Sequence, residues 1–245
     1  MDSNFTLTAL LLASLAAFGL AWVSAVAGFG GGVLLLPIFV ALFGLRVAVP
    51  VLTITALASN GGRVWFNRRD VKLSLVGWFA LGAVPAALVG GLAFAKAPIE
   101  PLKRLLGVFL LASVAWRRLG KAPRRPSEHS FVAVGGASGF GSALLGTVGP
   151  LTAPFFLAYG LTKGAYIGTE AASALVMHSA KLVAYGLGDI LDTQILALGL
   201  VLTPATVLGS WVGKRTVDRM SVRRFTALVE FGLVVAGLLF LLGGG

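Results

Sequence analysis

The chain has 245 residues, 57% of them hydrophobic and only 12% charged, with a mean hydropathy of +0.93, whereas soluble domains run near a quarter charged. No water-soluble fold of this length hides so much apolar surface, so the composition points to an all-α, polytopic inner-membrane protein. A net charge of +11 would raise nucleic-acid binding for a soluble protein. Here 14 of the 20 Lys and Arg residues fall in three short segments, Arg63 to Lys72, Arg117 to Arg125 and Lys214 to Arg224. That is the distribution of the positive-inside rule, and no nucleic-acid partner is implied. The absence of cysteine excludes disulfides, thiol catalysis and Cys-based metal sites.

From the N-terminus, Met1 to Thr6 carries Asp2 and no basic residue, and the apolar stretch that follows exceeds an ordinary signal-peptide core. The first segment therefore reads as a retained helix. Apolar segments follow at 7–28, 33–44, 47–66, 72–94 and 101–117, then a charged linker over 118–130. After it come 131–146, 148–160, 164–187, 194–213 and 224–243, with the same cadence. Gly28-Phe-Gly-Gly-Gly-Val-Leu-Leu-Leu-Pro37 is answered by Gly146-Thr-Val-Gly-Pro-Leu-Thr-Ala-Pro154, and each leads through a short apolar run to a turn with a basic residue, Arg46 or Lys163. The expected organisation is a multi-helix transmembrane bundle of two repeats, 1–117 and 131–245, joined by a cytoplasmic linker at 118–130. The 33 glycines and 10 prolines fit helices that pack closely and break in places.

The charges bear on the relation between the halves. If 33–60 were one broken crossing, the halves would be parallel, and the basic segments at 61–72 and 214–224 would lie on opposite sides of the membrane. If 33–44 and 47–60 are two short arms, each half crosses an odd number of times and the halves are inverted. All three basic segments are then cytoplasmic, while both termini and the turn at Asp189 and Asp192 lie outside. The cost is an outer segment, 95–104, that carries Lys96, Lys103 and Arg104 against Glu100. The arms at 33–44 and 148–160 hold 12 or 13 residues and reach about 18–20 Å, short of the hydrocarbon thickness. Such broken helices are tolerated only where protein or a watery cavity covers their ends, and re-entrant and crossing arms both remain open.

Two constellations carry chemistry. The glycine-rich turns, with Gly30, Gly31 and Gly32 in one half and Gly146 and Gly149 in the other, expose backbone N–H groups ahead of a helix N-terminus, which suits an anion. The alternative is that these glycines serve close packing or a tight turn. Along 164–187, Glu170, Ser173, Ala174, Met177, His178, Lys181 and Tyr185 recur at spacings of three and four and share one face. Ionisable groups on a membrane helix are expensive and usually mark a substrate or proton path.

The counterpart helix of the first half carries Thr53, Asn60, Arg63 and Asn67 on one face, and near-gapless alignment sets Arg63 opposite Lys181 and Asn60 opposite His178. Matched cations favour an anionic substrate. Other readings stay open: Arg63 as a topology anchor, Lys181 snorkelling outward, Glu170 pairing with Lys163 or another basic group, and His178 as a neutral packing residue. With a reference pKa of about 6.5, His178 suits a coupling proton, and a buried Glu170 suits one as well.

Enzyme chemistry finds little support. The only other histidine is His129, so no zinc-ligand pair exists, and no nucleophile, base and acid stand together in sequence. The Gly28-Phe-Gly-Gly-Gly run lacks the βαβ context of a dinucleotide fingerprint. No cofactor or metal is implied. The reading is a secondary transporter of a small anion, against a channel, a non-transporting membrane protein or an intramembrane enzyme.

The duplicated turn (Gly28 to Pro37, Gly146 to Pro154), the Asn60-Gly-Gly-Arg63-Val-Trp run and the Met177-His178-Ser-Ala-Lys181 run resemble the sulfite exporter TauE/SafE family over nearly the whole chain. The resemblance implies transport of sulfite, a sulfonate or another organosulfur anion across a bacterial inner membrane. The second turn departs from the triple-glycine pattern, with Val148 and Pro150 flanking Gly149.

Overall fold

The computed structural model describes residues 7–27, 31–119, 125–146 and 149–216, with positions 231, 234, 235, 237, 238, 241 and 242 beyond them. Among the described residues the chain is all helix: α1 (Leu7–Ala27), α2 (Gly31–Phe43), α3 (Leu45–Asn67), α4 (Leu73–Lys96), α5 (Ile99–Leu119), α6 (Ser130–Leu145), α7 (Gly149–Tyr159), α8 (Lys163–Leu187) and α9 (Thr193–Thr216). Gly30, the core of the linker, residue 219 and most of the expected 224–243 span lie outside the described residues. Helices α3 and α4 are long and apolar enough to cross a membrane.

The short helices fall where the glycine-rich turns place them. The 13 residues of α2 and 11 of α7 reach only about 20 and 16 Å at helical rise. One expectation needs correction: the second arm of the first half is not short. Gly44, at φ +76, breaks the chain between α2 and α3. Beyond it α3 continues for 23 residues through Gly61, Gly62 and Arg63 to Asn67. No proline follows Pro50 before the turn at 68–70, so nothing stops the helix at position 60.

Polar contacts sort the helix ends into two groups. At one end the Lys72 N–H donates to Thr169 Oγ1 at 2.9 Å, Tyr159 donates to Glu128 at 2.7 Å, and Trp78 lies over the His129 ring at 4.3 Å. At the other, the Arg46 guanidinium donates to the carbonyls of Phe94, Ala95 and Ala97 at 2.7, 2.5 and 2.6 Å. It thereby satisfies carbonyls that the end of α4 leaves without helical partners. Gly188 packs on Ala95 at this same end.

Helix packing is interleaved between the halves. Helix α4 lies against α6 and α8, α9 lies against α1 and α3, and α3 crosses α8. The α4–α6 crossing brings backbones together, since a Cβ at Gly82, Gly135 or Gly139 would land on the carbonyls of Val132, Phe79 and Ala83. Small residues allow this close approach, where dispersion replaces the hydrophobic drive. A second repeat signal emerges here. Pro85-Ala-Ala-Leu-Val-Gly90 in α4 matches Pro204-Ala-Thr-Val-Leu-Gly209 in α9. Gly90 meets the backbone of Phe140 in α6, while Gly209 meets that of Phe18 in α1. Large apolar side chains such as Leu15, Leu81, Val89 and Leu200 stay exposed on the outside of the bundle, as lipid-facing residues do.

Candidate functional site

The site candidates gather along the contact of α3 with α8. Near the start of α8, Gly164 and Gly168 give room to Asn67, Asp70 and Val71 at the end of α3. This approach lets Arg63 reach across: its Nη2 donates to Glu170 Oε2 at 2.7 Å, and its Nη1 to Asn60 Oδ1 at 2.9 Å. The Asn67 amide donates to the Arg63 carbonyl at 2.7 Å. The Arg63 side chain keeps 20% exposure and Glu170 9%. Asn60, Arg63 and Glu170 thus form one cluster, and the basic partner of Glu170 is Arg63.

Lys181 lies elsewhere and is held differently. Its side chain is wholly buried, so it does not snorkel outward. The ammonium donates to Ser142 Oγ at 3.0 Å and to the Gly146 carbonyl at 2.9 Å. Gly146, at φ +84, ends α6 ahead of the second glycine-rich turn. A helix C-terminus carries partial negative charge, which favours the ammonium here. Among the described residues no carboxylate comes within salt-bridge distance of Lys181. One turn further along α8, Tyr185 donates to the Ala143 carbonyl at 2.7 Å and pins the same end of α6.

His178, one turn before Lys181, is buried, and among the described residues its Nδ1 has no hydrogen-bond partner. Ser173 Oγ and Tyr166 OH are likewise buried without partners. Buried polar atoms in proteins nearly always find partners, which sets these three groups of α8 apart.

A family model for the sulfite exporter TauE/SafE matches residues 13–240, nearly the whole chain. The chain belongs to the sulfite exporter TauE/SafE family. It is therefore a transmembrane protein of a transporter family, as the resemblance in its turns and helix runs implied. No curated protein and no solved structure matches it significantly.

Within this TauE/SafE chain the expected residues divide into two groups. Glu170 and Lys181 stand 11 positions apart on α8, a rise of about 16 Å. Arg63, tied to Glu170, is therefore not brought together with Lys181. Gly31 and Gly149 open α2 and α7, with Gly32 next in α2. Gly146 offers a carbonyl to a cation, the opposite polarity from an N–H aimed at an anion. Ser142 was not foreseen, because a serine in an apolar helix gives no sign that a lysine from another helix reaches it. Among the described residues no cluster of three or more His, Asp or Glu side chains is placed to hold a metal ion.

Proposed function

We propose that the protein is a secondary transporter of a small anion, sulfite, a sulfonate or another organosulfur anion, working by alternating access. The observation that carries this reading is Lys181: a fully buried ammonium whose partners are a hydroxyl and a carbonyl. Burying a charge without a counter-charge costs several kcal/mol, and such residues in membrane helices mark substrate paths. Lys181, with His178 one turn away, is the primary anion site. Arg63 and Asn60, with Gly31 and Gly32 of the first turn and Gly146 and Gly149 of the second, complete two related stations. His178 and Glu170 are the groups that can carry a coupling proton.

The bundle is read as two inverted repeats, 1–117 and 131–245, around a cytoplasmic linker at 118–130 in an inner membrane, with both termini outside. In support, α4 of the first half packs on the first helix of the second, α9 packs on α1, and both contacts use the glycine of a Pro-Ala-x-x-x-Gly run. The grouping of Lys72, Glu128 and Tyr159 at one end, opposite Arg46 and Ala97, also fits an odd number of crossings per half.

The test is uptake of labelled sulfite or sulfonate into proteoliposomes. Saturable uptake with counterflow by unlabelled substrate is expected. Flux that rises linearly with concentration, or no flux for any organosulfur anion, would sink the proposal.

A further inference from the structure

We infer that Glu170 holds Arg63 against the substrate and yields it only when protonated, so that one proton crosses with each anion. The inference rests on the anion-transport reading and names its coupling ion, with Glu170 as the group that carries it. Arg63 Nη2 donates to Glu170 Oε2 at 2.7 Å and Nη1 to Asn60 Oδ1 at 2.9 Å, with side-chain exposures of 9% for the acid and 20% for the base. An anion drawn to Arg63 while Glu170 is ionised would strand a carboxylate out of water and set a second negative charge beside it. A proton on Glu170 removes both costs. The neutral acid offers the guanidinium a dipole where the anion offers a full charge, and in a largely dry site the charge wins. Asn60 keeps Nη1 while Nη2 changes partner, so the guanidinium stays in place. The proton enters from the side on which Arg63 is exposed and leaves with the anion, and for a monoanion the load is neutral.

Two hydroxyls flank the exchange. Tyr166 lies four residues before Glu170 and Ser173 three after it, so all three share a face of α8. Both residues are buried, at 8% and 1% exposure, and neither hydroxyl has a partner among the described residues. Buried hydroxyls nearly always find one, and a sulfite or sulfonate has oxygens to accept from each. Among the described residues only Arg63 comes within salt-bridge distance of Glu170. Of the helices packed on α8, α3 offers Arg63 here and Arg46 at its opposite end, α4 only Lys96 at its far end, α6 none and α7 only Tyr159, which is bonded to Glu128. Asp70 and Lys72 sit at the α3–α4 turn beside Gly164 and Thr169. His178 and Lys181 lie about two and three turns further along α8.

The test is transport of labelled methanesulfonate in proteoliposomes, chosen because it stays a monoanion where sulfite itself takes up a proton. With the membrane potential clamped, an acid-outside pH gradient should accumulate it about tenfold for each unit of gradient. A potential without a pH gradient should not, because the load is neutral. Counterflow by the parent should slow as pH rises, by up to about tenfold per unit, since fewer copies hold the proton. Glu170→Gln never competes for Arg63, so it should keep counterflow at a rate independent of pH and lose the accumulation. The variant carrying Arg63→Gln as well should also fail to accumulate, which serves if the single variant does not fold. Accumulation by either variant, or a folded Glu170→Gln that exchanges nothing, would overturn the role of Glu170. Accumulation in the parent driven by potential and not by pH would overturn the coupling and leave anion transport standing. If the parent exchanges neither methanesulfonate nor sulfite, the anion-transport reading fails and the coupling falls with it.

Discussion

Removing Arg63 or Glu170 singly and together separates an ion pair that holds α3 to α8 from two charges that merely lie near each other. Arg63→Gln leaves the Glu170 carboxylate, 9% exposed, without its cation. Breaking a fully buried pair costs about 3–5 kcal/mol. With Arg63 one-fifth exposed, water screens part of the interaction, and about 2–3 kcal/mol is expected. Glu170→Gln costs less, about 1–2 kcal/mol, because Arg63 keeps Asn60 and its access to solvent. The double variant carries two neutral amides and should return to within about 1 kcal/mol of the parent, a coupling of about 2–4 kcal/mol. In thermal unfolding of the purified protein, Arg63→Gln should lower the midpoint by roughly 5–10 °C, at about 2–4 °C per kcal/mol. The double variant should recover most of that loss. If instead its midpoint falls by the sum of the two single effects, the 2.7 Å contact contributes no coupling and the reasoning fails.

Other outcomes can be measured on the same preparation. Arg46→Ala strips the donors from the carbonyls of Phe94, Ala95 and Ala97 and should cost about 1–3 kcal/mol, read as a lower thermal midpoint, with Arg46→Lys recovering only part. Gly135→Ala drives a methyl group into the Phe79 carbonyl and should cost about 1–3 kcal/mol. Gly77→Ala, with open space around it, should be neutral or gain up to about 1 kcal/mol from helix propensity; equal midpoints for the two variants would contradict the α4–α6 crossing. Single cysteines at Ser127 and Arg219 should resist an impermeant reagent in intact cells and react after permeabilisation, while one at Ile190 should label from outside.

Much of the fold was legible because the bilayer imposes simple rules. Apolar runs separated by basic or glycine-rich segments located α1 to α9 to within a few residues, and Gly28–Pro37 and Gly146–Pro154 marked the two short helices. The second arm was ended at position 60, where the basic segment 61–72 begins, yet α3 runs on through Gly61, Gly62 and Arg63 to Asn67. Among the site candidates, spacing on one face singled out Glu170, His178 and Lys181, and alignment of the halves singled out Arg63. What sequence alone does not hold is the partner across space. Arg63 with Glu170 depends on the crossing of α3 and α8, and Lys181 with Gly146 depends on how α6 ends against α8. A period along one helix says which side chains share a face; it does not say what faces them.

The unequal partners of the two matched cations bear on transport itself. A carrier of two inverted halves is asymmetric in every state, because only one side is open at a time. Among the described residues, the Arg63 end holds a paired carboxylate and Lys181 has none within salt-bridge distance. Arg63 is bonded to Glu170, whose backbone lies about 16 Å along α8 from that of Lys181, so the two cations sit at different levels of that helix. On the proposed anion-transport reading, an anion at Lys181 would bind without help from Arg63, and Arg63 would act only as the anion passes along the path. The variant carrying both Arg63→Gln and Glu170→Gln keeps charge balance and should bind sulfite with unchanged affinity in a thermal-shift titration, yet exchange it in counterflow at least about tenfold more slowly, the effect of losing one charged station. Lys181→Gln should lose binding and counterflow together. Loss of sulfite binding in the double variant would show that both cations belong to one site, and the two-station path would have to be abandoned.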